Sequence, residues 1–204
     1  GIDDIMIVTG GPHAGDFIRV LQNGETFGLK KLHYAYQEGE GGIAQALSMA
    51  ETFVGDDDCA VVLGDNIISD NISSHVHAFN SLKGCMVFVK EVPDPERFGV
   101  VEWHPYSDEN WERKAIKDII EKPVCPPSKD AVIGLYMYDS TVFSKIKALS
   151  PSARGELEVT DLNKMYLAEN QLEVRRITGT WLDCGTPDSM AEATSKFYND
   201  SKGL

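Results

Sequence analysis

The sequence predicts an α/β fold built on a mixed, mostly parallel sheet with flanking helices, and two observations carry that expectation. In the first part of the chain, short apolar runs alternate with segments whose apolar residues recur at helical spacing, the order of strands joined by helices. Further along, strand-like runs follow one another with short links, which a mixed sheet accommodates.

Ile5-Met6-Ile7-Val8 is a short apolar run closed by Thr9-Gly10-Gly11-Pro12, and residues 13–21 then carry a helix. Residues 32–37 read as a second strand. After a glycine-rich stretch, Ile43, Ala46, Leu47, Ala50 and Phe53 repeat at helical spacing and predict one helix over 43–53. Cys59-Ala60-Val61-Val62-Leu63 is unbroken and apolar, as expected of a strand covered on both faces. Strands are expected at 85–89, 99–103, 116–120 and 132–138, and helices at 140–149 and 159–169. Glu158 and Asp161 stand at the start of the second helix, where carboxylates are favourable. Strands at 172–177 and 180–182 and a closing helix over 187–198 complete the reading. No repeat, low-complexity tract or linker interrupts the chain, so a single domain over residues 1–204 is expected.

Composition narrows the function. The chain has 204 residues, 42% hydrophobic and 25% charged, enough for a real core. Its net charge of -13 opposes a nucleic-acid partner, which needs a basic face to release counterions. Small phosphorylated ligands stay open if metal ions or local Lys and Arg offset the acid. No stretch approaches the roughly 18 apolar residues that cross a bilayer, and Gly1-Ile2-Asp3-Asp4 has no export pattern, so a cytoplasmic protein without a membrane partner is expected. Cys59, Cys85, Cys125 and Cys184 are widely spaced and suggest neither zinc nor a disulfide framework.

Leu63-Gly64-Asp65-Asn66 ends an apolar strand, where ligands of open α/β sheets gather, so Asp65 is well placed for a metal, although a turn former would look the same. Asp56-Asp57-Asp58 reads instead as a solvated turn. Asp183, in Trp181-Leu182-Asp183-Cys184-Gly185-Thr186, again stands where an apolar run meets glycine. Mg²⁺ takes one or two carboxylates plus phosphate oxygens and water, so Asp65 and Asp183 could share one ion, or be unrelated turn residues. Gln37-Glu38-Gly39-Glu40-Gly41-Gly42 puts flexible backbone and free N–H groups before a helix, and the Gln37 amide could pair with a base edge. Neither this loop nor the one at Gly10 matches GxGxxG or GxxxxGK[ST]. Lys122, after Glu121, and Arg154, before a helix, could each meet a phosphate or belong to a surface ion pair. His75 and His77, two apart, read as surface residues, and no Ser-His-Asp or Cys-His arrangement is legible.

Taken in order, Gly42-Ile43-Ala44-Gln45-Ala46, Val62-Leu63-Gly64-Asp65-Asn66, the segment Asp94-Pro95-Glu96-Arg97-Phe98-Gly99-Val100-Val101-Glu102, Glu121-Lys122-Pro123, Gly134-Leu135-Tyr136, the stretch from Ser152 to Asp161 and Trp181 to Thr186 resemble the sugar-1-phosphate nucleotidyltransferases. The likeness spans nearly the whole chain and is greatest to the glucose-1-phosphate thymidylyltransferases. It implies a Rossmann-like, nucleotide-diphospho-sugar transferase fold and an enzyme that joins dTTP, or alternatively UTP, to a hexose 1-phosphate. It also implies Mg²⁺ on Asp65 and Asp183, with Lys122 holding the sugar phosphate and counted with them as catalytic. Gln37 and the backbone near Gly42 would read the pyrimidine, and Gly99, Glu121 and Val132 would line the sugar pocket. Arg154 would add charge near the sugar phosphate, Tyr136 would shape that end of the site, and a homo-oligomer is implied.

One family feature is not in these residues: the first strand with its GGxGTRLxPxT loop and downstream Lys, which wraps the triphosphate. The expectation is therefore an N-terminally truncated core, weak or inactive alone. A glycosyltransferase is disfavoured because Gly64-Asp65-Asn66 is not a DxD element, and a non-catalytic sugar-nucleotide-binding subunit is the alternative of a different class.

Overall fold

A computed structural model describes residues 2–80, 82–105 and 115–202, the side chains of 196–202 excepted. In chain order the elements are β1 (Asp4–Gly10), α1 (Ala14–Leu21), β2 (Lys31–Gln37), α2 (Ile43–Ser48), α3 (Glu51–Val54), β3 (Cys59–Val62), β4 (Asn66–Ile68), α4 (Ser73–Phe79), β5 (Cys85–Glu91), β6 (Gly99–Trp103), β7 (Ile116–Glu121), β8 (Asp130–Tyr138), α5 (Val142–Ala148), α6 (Val159–Ala168), β9 (Leu172–Arg176), β10 (Trp181–Asp183) and α7 (Pro187–Lys202). Single 3₁₀ turns lie at Glu25–Phe27 and Pro95–Arg97. This is the expected α/β class, with a mixed sheet. No described helix is long and apolar enough to cross a membrane.

The chain forms two compact units, each assembled from separated stretches. One comprises Gly1–Cys59 and Tyr138–Tyr166. In it β1 and β2 pair in parallel, Asp4 opposite Lys31 through Gly10 opposite Gln37, which sets Gln37 at the carboxyl end of the ribbon. Ala44, Leu47 and Ala50 are buried, as are Val142, Phe143 and Ile146 of α5 and Leu162 and Tyr166 of α6. The buried hydroxyls here are satisfied: Tyr138 donates to Asn163 Oδ1 at 2.7 Å and Tyr166 to Asp139 Oδ1 at 3.2 Å.

The helix expected over 43–53 is two short helices. Met49 N–H donates to Ala46 O at 3.2 Å and Ala50 N–H to Leu47 O at 2.9 Å, the tighter i to i−3 pattern, while the Ser48 hydroxyl takes Gln45 O at 2.6 Å. A serine hydroxyl competing for backbone groups interrupts a helix without disturbing the apolar spacing that predicted it.

The other unit comprises Ala60–Met137 and Leu167–Leu204. Its sheet runs β7-β6-β8-β5-β9, with β3 also paired to β8. β5 and β9 are parallel, whereas β6 is antiparallel to both β7 and β8. All nine residues of β8 are buried, which suits a central strand. On one face Ile133, Leu135 and Met137 meet Met86 and Phe88 of β5, Phe79 of α4 and Ile177, the alternation that a period of two requires. Truncating one of these to alanine costs about 2–5 kcal/mol.

Two expectations are corrected in this unit. β3 is not covered on both faces: its burial alternates and Val62 is 55% exposed. It pairs with β8 alone among the described strands, so its continuous apolar run belongs to an edge strand. His77 is exposed as expected, but His75 is half-buried, its ring edge-on to Phe88 at 5.2 Å, and burial holds its pKa below the ordinary value. The Asp56–Asp58 stretch is the exposed turn that was anticipated.

Candidate functional site

The Asp65 loop is placed by backbone hydrogen bonds at both ends. Leu63 N–H donates to Gly134 O of β8 at 2.9 Å, and Asn66 N–H to Leu63 O at 3.0 Å, which closes a tight turn around Gly64 and Asp65. The chain then enters β4, antiparallel to β10 with Asn66 opposite Asp183, and Cys184 N–H donates to Asp65 O at 2.7 Å. Two acidic residues far apart in sequence thus become neighbours. A Cβ built on Gly185 would lie 3.1 Å from Asp183 Oδ1 and 3.3 Å from Asp65 Oδ2, so both carboxylates border the space that this glycine leaves open. The buried Cys184 thiol beside them has its pKa raised by burial and then by the charges of Asp183 and Asp65.

Each carboxylate is also oriented from behind. Asp183 Oδ1 accepts Gly185 N–H at 3.0 Å, while its Oδ2 faces Arg97 Nη2 at 3.5 Å; Arg97 also pairs with Asp94 at 2.8 Å. Asp65 Oδ1 accepts Asn66 Nδ2 at 2.7 Å. Asn66 in turn is fixed by two donors to its Oδ1, Trp181 Nε1–H at 2.6 Å and Gly134 N–H at 3.0 Å. Both partners can only donate, so the amide has one orientation and its nitrogen must point at Asp65. Trp181 is held edge-on by Phe98 at 5.5 Å.

Asn66, Arg97 and Trp181 were not singled out from the sequence, although each lies inside a motif that was. An Asn beside an Asp looks like a turn former, and a Trp opening an apolar run looks like core; only the pairing of β4 with β10 joins them.

Asp65 and Asp183 fit a hard divalent cation: two carboxylates flank one unfilled space, each steadied by a donor, as such ligands usually are. No group of three or more His, Cys, Asp or Glu suited to a metal occurs among the described residues, so other ligands would come from phosphate and water.

The residues expected around the sugar lie in the same unit. Gly99 stands opposite Glu121 in the β6–β7 register, and Lys122 N–H donates to Phe98 O at 3.0 Å, fastening the Glu121-Lys122-Pro123 corner to the start of β6. Lys122 has φ of 42°, a left-handed conformation uncommon outside glycine, and its side chain is exposed. Val132 and Tyr136 are buried and, with Gly134 between them, share one face of β8. A Cβ on Gly134 would lie 2.7 Å from Leu63 Cγ and 2.8 Å from Asn66 Cγ, so that face is the one on which the Asp65 loop packs. Burial first, and then the neighbouring Glu121, Cys85 and Asp65, raise the Tyr136 pKa above its ordinary value.

Gln37, Gly42 and Arg154 belong to the other unit. Gln37 Nε2 donates to Gly42 O at 3.1 Å and to Gln45 Oε1 at 2.8 Å. Gly42 has φ of 89°, and a Cβ there would stand 2.6 Å from Leu157 O. The glycine-rich loop suggested free N–H groups at the start of α2, but that of Ala44, in its first turn, donates to Leu157 O at 3.3 Å. Arg154, expected to supply charge to a phosphate, is held by the buried Glu158 through Nε at 3.2 Å and Nη2 at 2.8 Å, with Ser152 Oγ on the same carboxylate at 2.6 Å.

Comparison with known proteins identifies the family. The family model described as Nucleotidyl transferase covers residues 1–200. The chain is 42% identical over 200 residues to the glucose-1-phosphate thymidylyltransferase of Neisseria meningitidis serogroup A, covering 96% of this chain and 66% of that protein. A Bacillus anthracis crystal structure described as a glucose-1-phosphate thymidylyltransferase in complex with sucrose superposes with a TM-score of 0.84 at 47% identity, over 95% of this chain and 76% of that one. A UDP-glucose pyrophosphorylase complexed with UDP-glucose has a TM-score of 0.80 at 22% identity, over 97% of this chain and 81% of that one, and shows the fold alone. The chain therefore spans just under two thirds of the first relative's length. With one family model running over nearly all of its residues, the chain belongs to the nucleotidyl transferase family.

Proposed function

We propose that the chain carries the core of a Mg²⁺-dependent sugar-1-phosphate nucleotidyltransferase that joins dTTP to glucose 1-phosphate and releases pyrophosphate. The observation that carries this reading is the pair Asp65 and Asp183, drawn from distant segments to border one space at Gly185. The thymidine and glucose assignments rest on the relatives' names.

In the reaction a phosphate oxygen of the sugar phosphate forms a bond to the α-phosphorus of the nucleotide as the α–β anhydride bond breaks. That oxygen is already ionised near neutral pH, so the chain needs no general base; its work is positioning and charge neutralisation. Asp65 and Asp183 would hold the cation, which when bound supplies charge neutralisation on the nucleotide phosphates. Lys122 would bind the sugar phosphate, and Gly99, Glu121, Val132 and Tyr136 would enclose the sugar. Gln37 and Gly42 would face the base. Arg154, tied to Glu158, would act on the phosphate only by exchanging that partner. The reading places the protein in the cytoplasm as a homo-oligomer with one nucleotidyltransferase core, and expects the 204 residues by themselves, which hold no GGxGTRLxPxT segment, to turn over weakly.

Calorimetric titration with dTDP-glucose, with and without Mg²⁺, tests the site without requiring turnover. Binding should be strengthened by Mg²⁺ in the parent chain, and that enhancement should vanish in Asp65→Asn and in Asp183→Asn. Full Mg²⁺ enhancement in either variant would remove the metal assignment.

A further inference from the structure

We infer that Gln45 is a positioning residue that locks the Gln37 amide in one orientation and so selects pyrimidines bearing an N3–H, thymine or uracil, against cytosine. The inference rests on the reading that Gln37 faces the base.

Gln37 Nε2 is spent on two acceptors, Gly42 O at 3.1 Å and Gln45 Oε1 at 2.8 Å. The first is a backbone carbonyl that can only accept, so it decides which end of the Gln37 amide is nitrogen. Gln45 must then present its own oxygen to the second N–H. With both N–H groups of the amide nitrogen occupied, the polar atom that Gln37 has left for a ligand is Oε1, an acceptor. Thymine and uracil carry a donor at N3 and meet it favourably. Cytosine carries an acceptor at N3, and two acceptors facing each other leave both unsatisfied. Without Gln45 the orientation would rest on the Gly42 carbonyl alone, so turning the amide to suit cytosine would cost one hydrogen bond fewer.

The place of Gln45 is itself built into the loop. A Cβ on Gly41 would overlap the Gln45 amide, so a residue with no side chain at 41 makes room for it. The same glycine accepts Leu157 N–H at 2.8 Å through its carbonyl, which ties the loop to the segment before α6. Gly41 is not in a positive-φ conformation, so its alanine variant disturbs the Gln45 side chain and not the backbone.

The test is competitive titration of dTDP and dCDP, each with Mg²⁺, against the parent chain, Gln45→Met, Gly41→Ala and Gln45→Glu. Methionine keeps the length of glutamine without an acceptor, and glutamate keeps the acceptor. The parent should prefer dTDP, and the preference should fall about fivefold in Gln45→Met and in Gly41→Ala, the size of one neutral hydrogen bond, while Gln45→Glu retains it. A change confined to overall affinity, with the dTDP to dCDP ratio untouched in both Gln45→Met and Gly41→Ala, would overturn the positioning role and leave the nucleotide reading standing. A parent chain that binds both diphosphates equally would overturn the inference, and one that binds neither would remove the nucleotide reading with it.

Discussion

Replacing Asn66 by alanine should measurably destabilise the chain, because its side chain joins three partners beside the candidate metal site. The Asn66 amide receives Trp181 Nε1–H at 2.6 Å and Gly134 N–H at 3.0 Å and gives a hydrogen bond to Asp65 at 2.7 Å. Alanine strands two donors, one of them on the fully buried β8, and removes a hydrogen bond to a charged acceptor. A stranded buried donor costs about 1–3 kcal/mol, so a loss of about 3 kcal/mol is expected for the variant. Trp181→Phe removes one donor and keeps most of the ring, and should cost about 1–2 kcal/mol. Because one hydrogen bond is counted in both variants, the double variant should cost about 1 kcal/mol less than the two singles combined. Urea unfolding followed by circular dichroism measures all three, with constant m values as the check that the unfolded state is unchanged. Strict additivity, or a loss under about 0.5 kcal/mol in Asn66→Ala, would refute the claim that the amide is a shared acceptor.

Gly134→Ala should cost about 1–3 kcal/mol in the same assay, since its Cβ falls 2.7 Å from Leu63 and 2.8 Å from Asn66, and it should also weaken Mg²⁺-dependent binding by shifting the Asp65 loop. Lys122→Gly relieves a left-handed lysine at φ 42° but loosens the unfolded chain, so stability should stay within about 1 kcal/mol of the parent while glucose 1-phosphate binding, followed by NMR titration, is lost. Burial, with Asp58 and Asp139 adding, pushes the Cys59 thiol up from 9.0 to about 12. A group whose folded pKa is raised favours the folded state until the unfolded thiol ionises, so stability should fall as pH climbs from 9.0 to about 12, by up to about 1.4 kcal/mol per pH unit. Urea midpoints at stepped pH should show that slope in the parent and a shallower one in Cys59→Ser.

Much of the strand and helix order was legible because it depends on local spacing. The runs at 5–8, 85–89 and 132–138 and the helices beginning near Val142 and Val159 need only a count of apolar residues to be found. β4 and α4 were not found, since three residues of Asn-Ile-Ile and a polar helix carrying two histidines have too little periodicity. The Ile43 helix was read as too long and β3 as too well covered, because spacing reports neither a competing hydroxyl nor whether a second strand pairs with the far edge.

What the residues alone determined was the class of fold and, through the order of the motifs, the family and the names of the acidic pair. What only the tertiary structure decided was that Asp65 and Asp183 share a space, that Asn66 is clamped between Trp181 and Gly134, that Arg154 is spoken for by Glu158, and which way the Gln37 amide faces. The difference is physical. Secondary structure follows from neighbours within a few residues, whereas the direction of a carboxylate or an amide is set by hydrogen-bond partners that the chain brings in from up to 115 residues away.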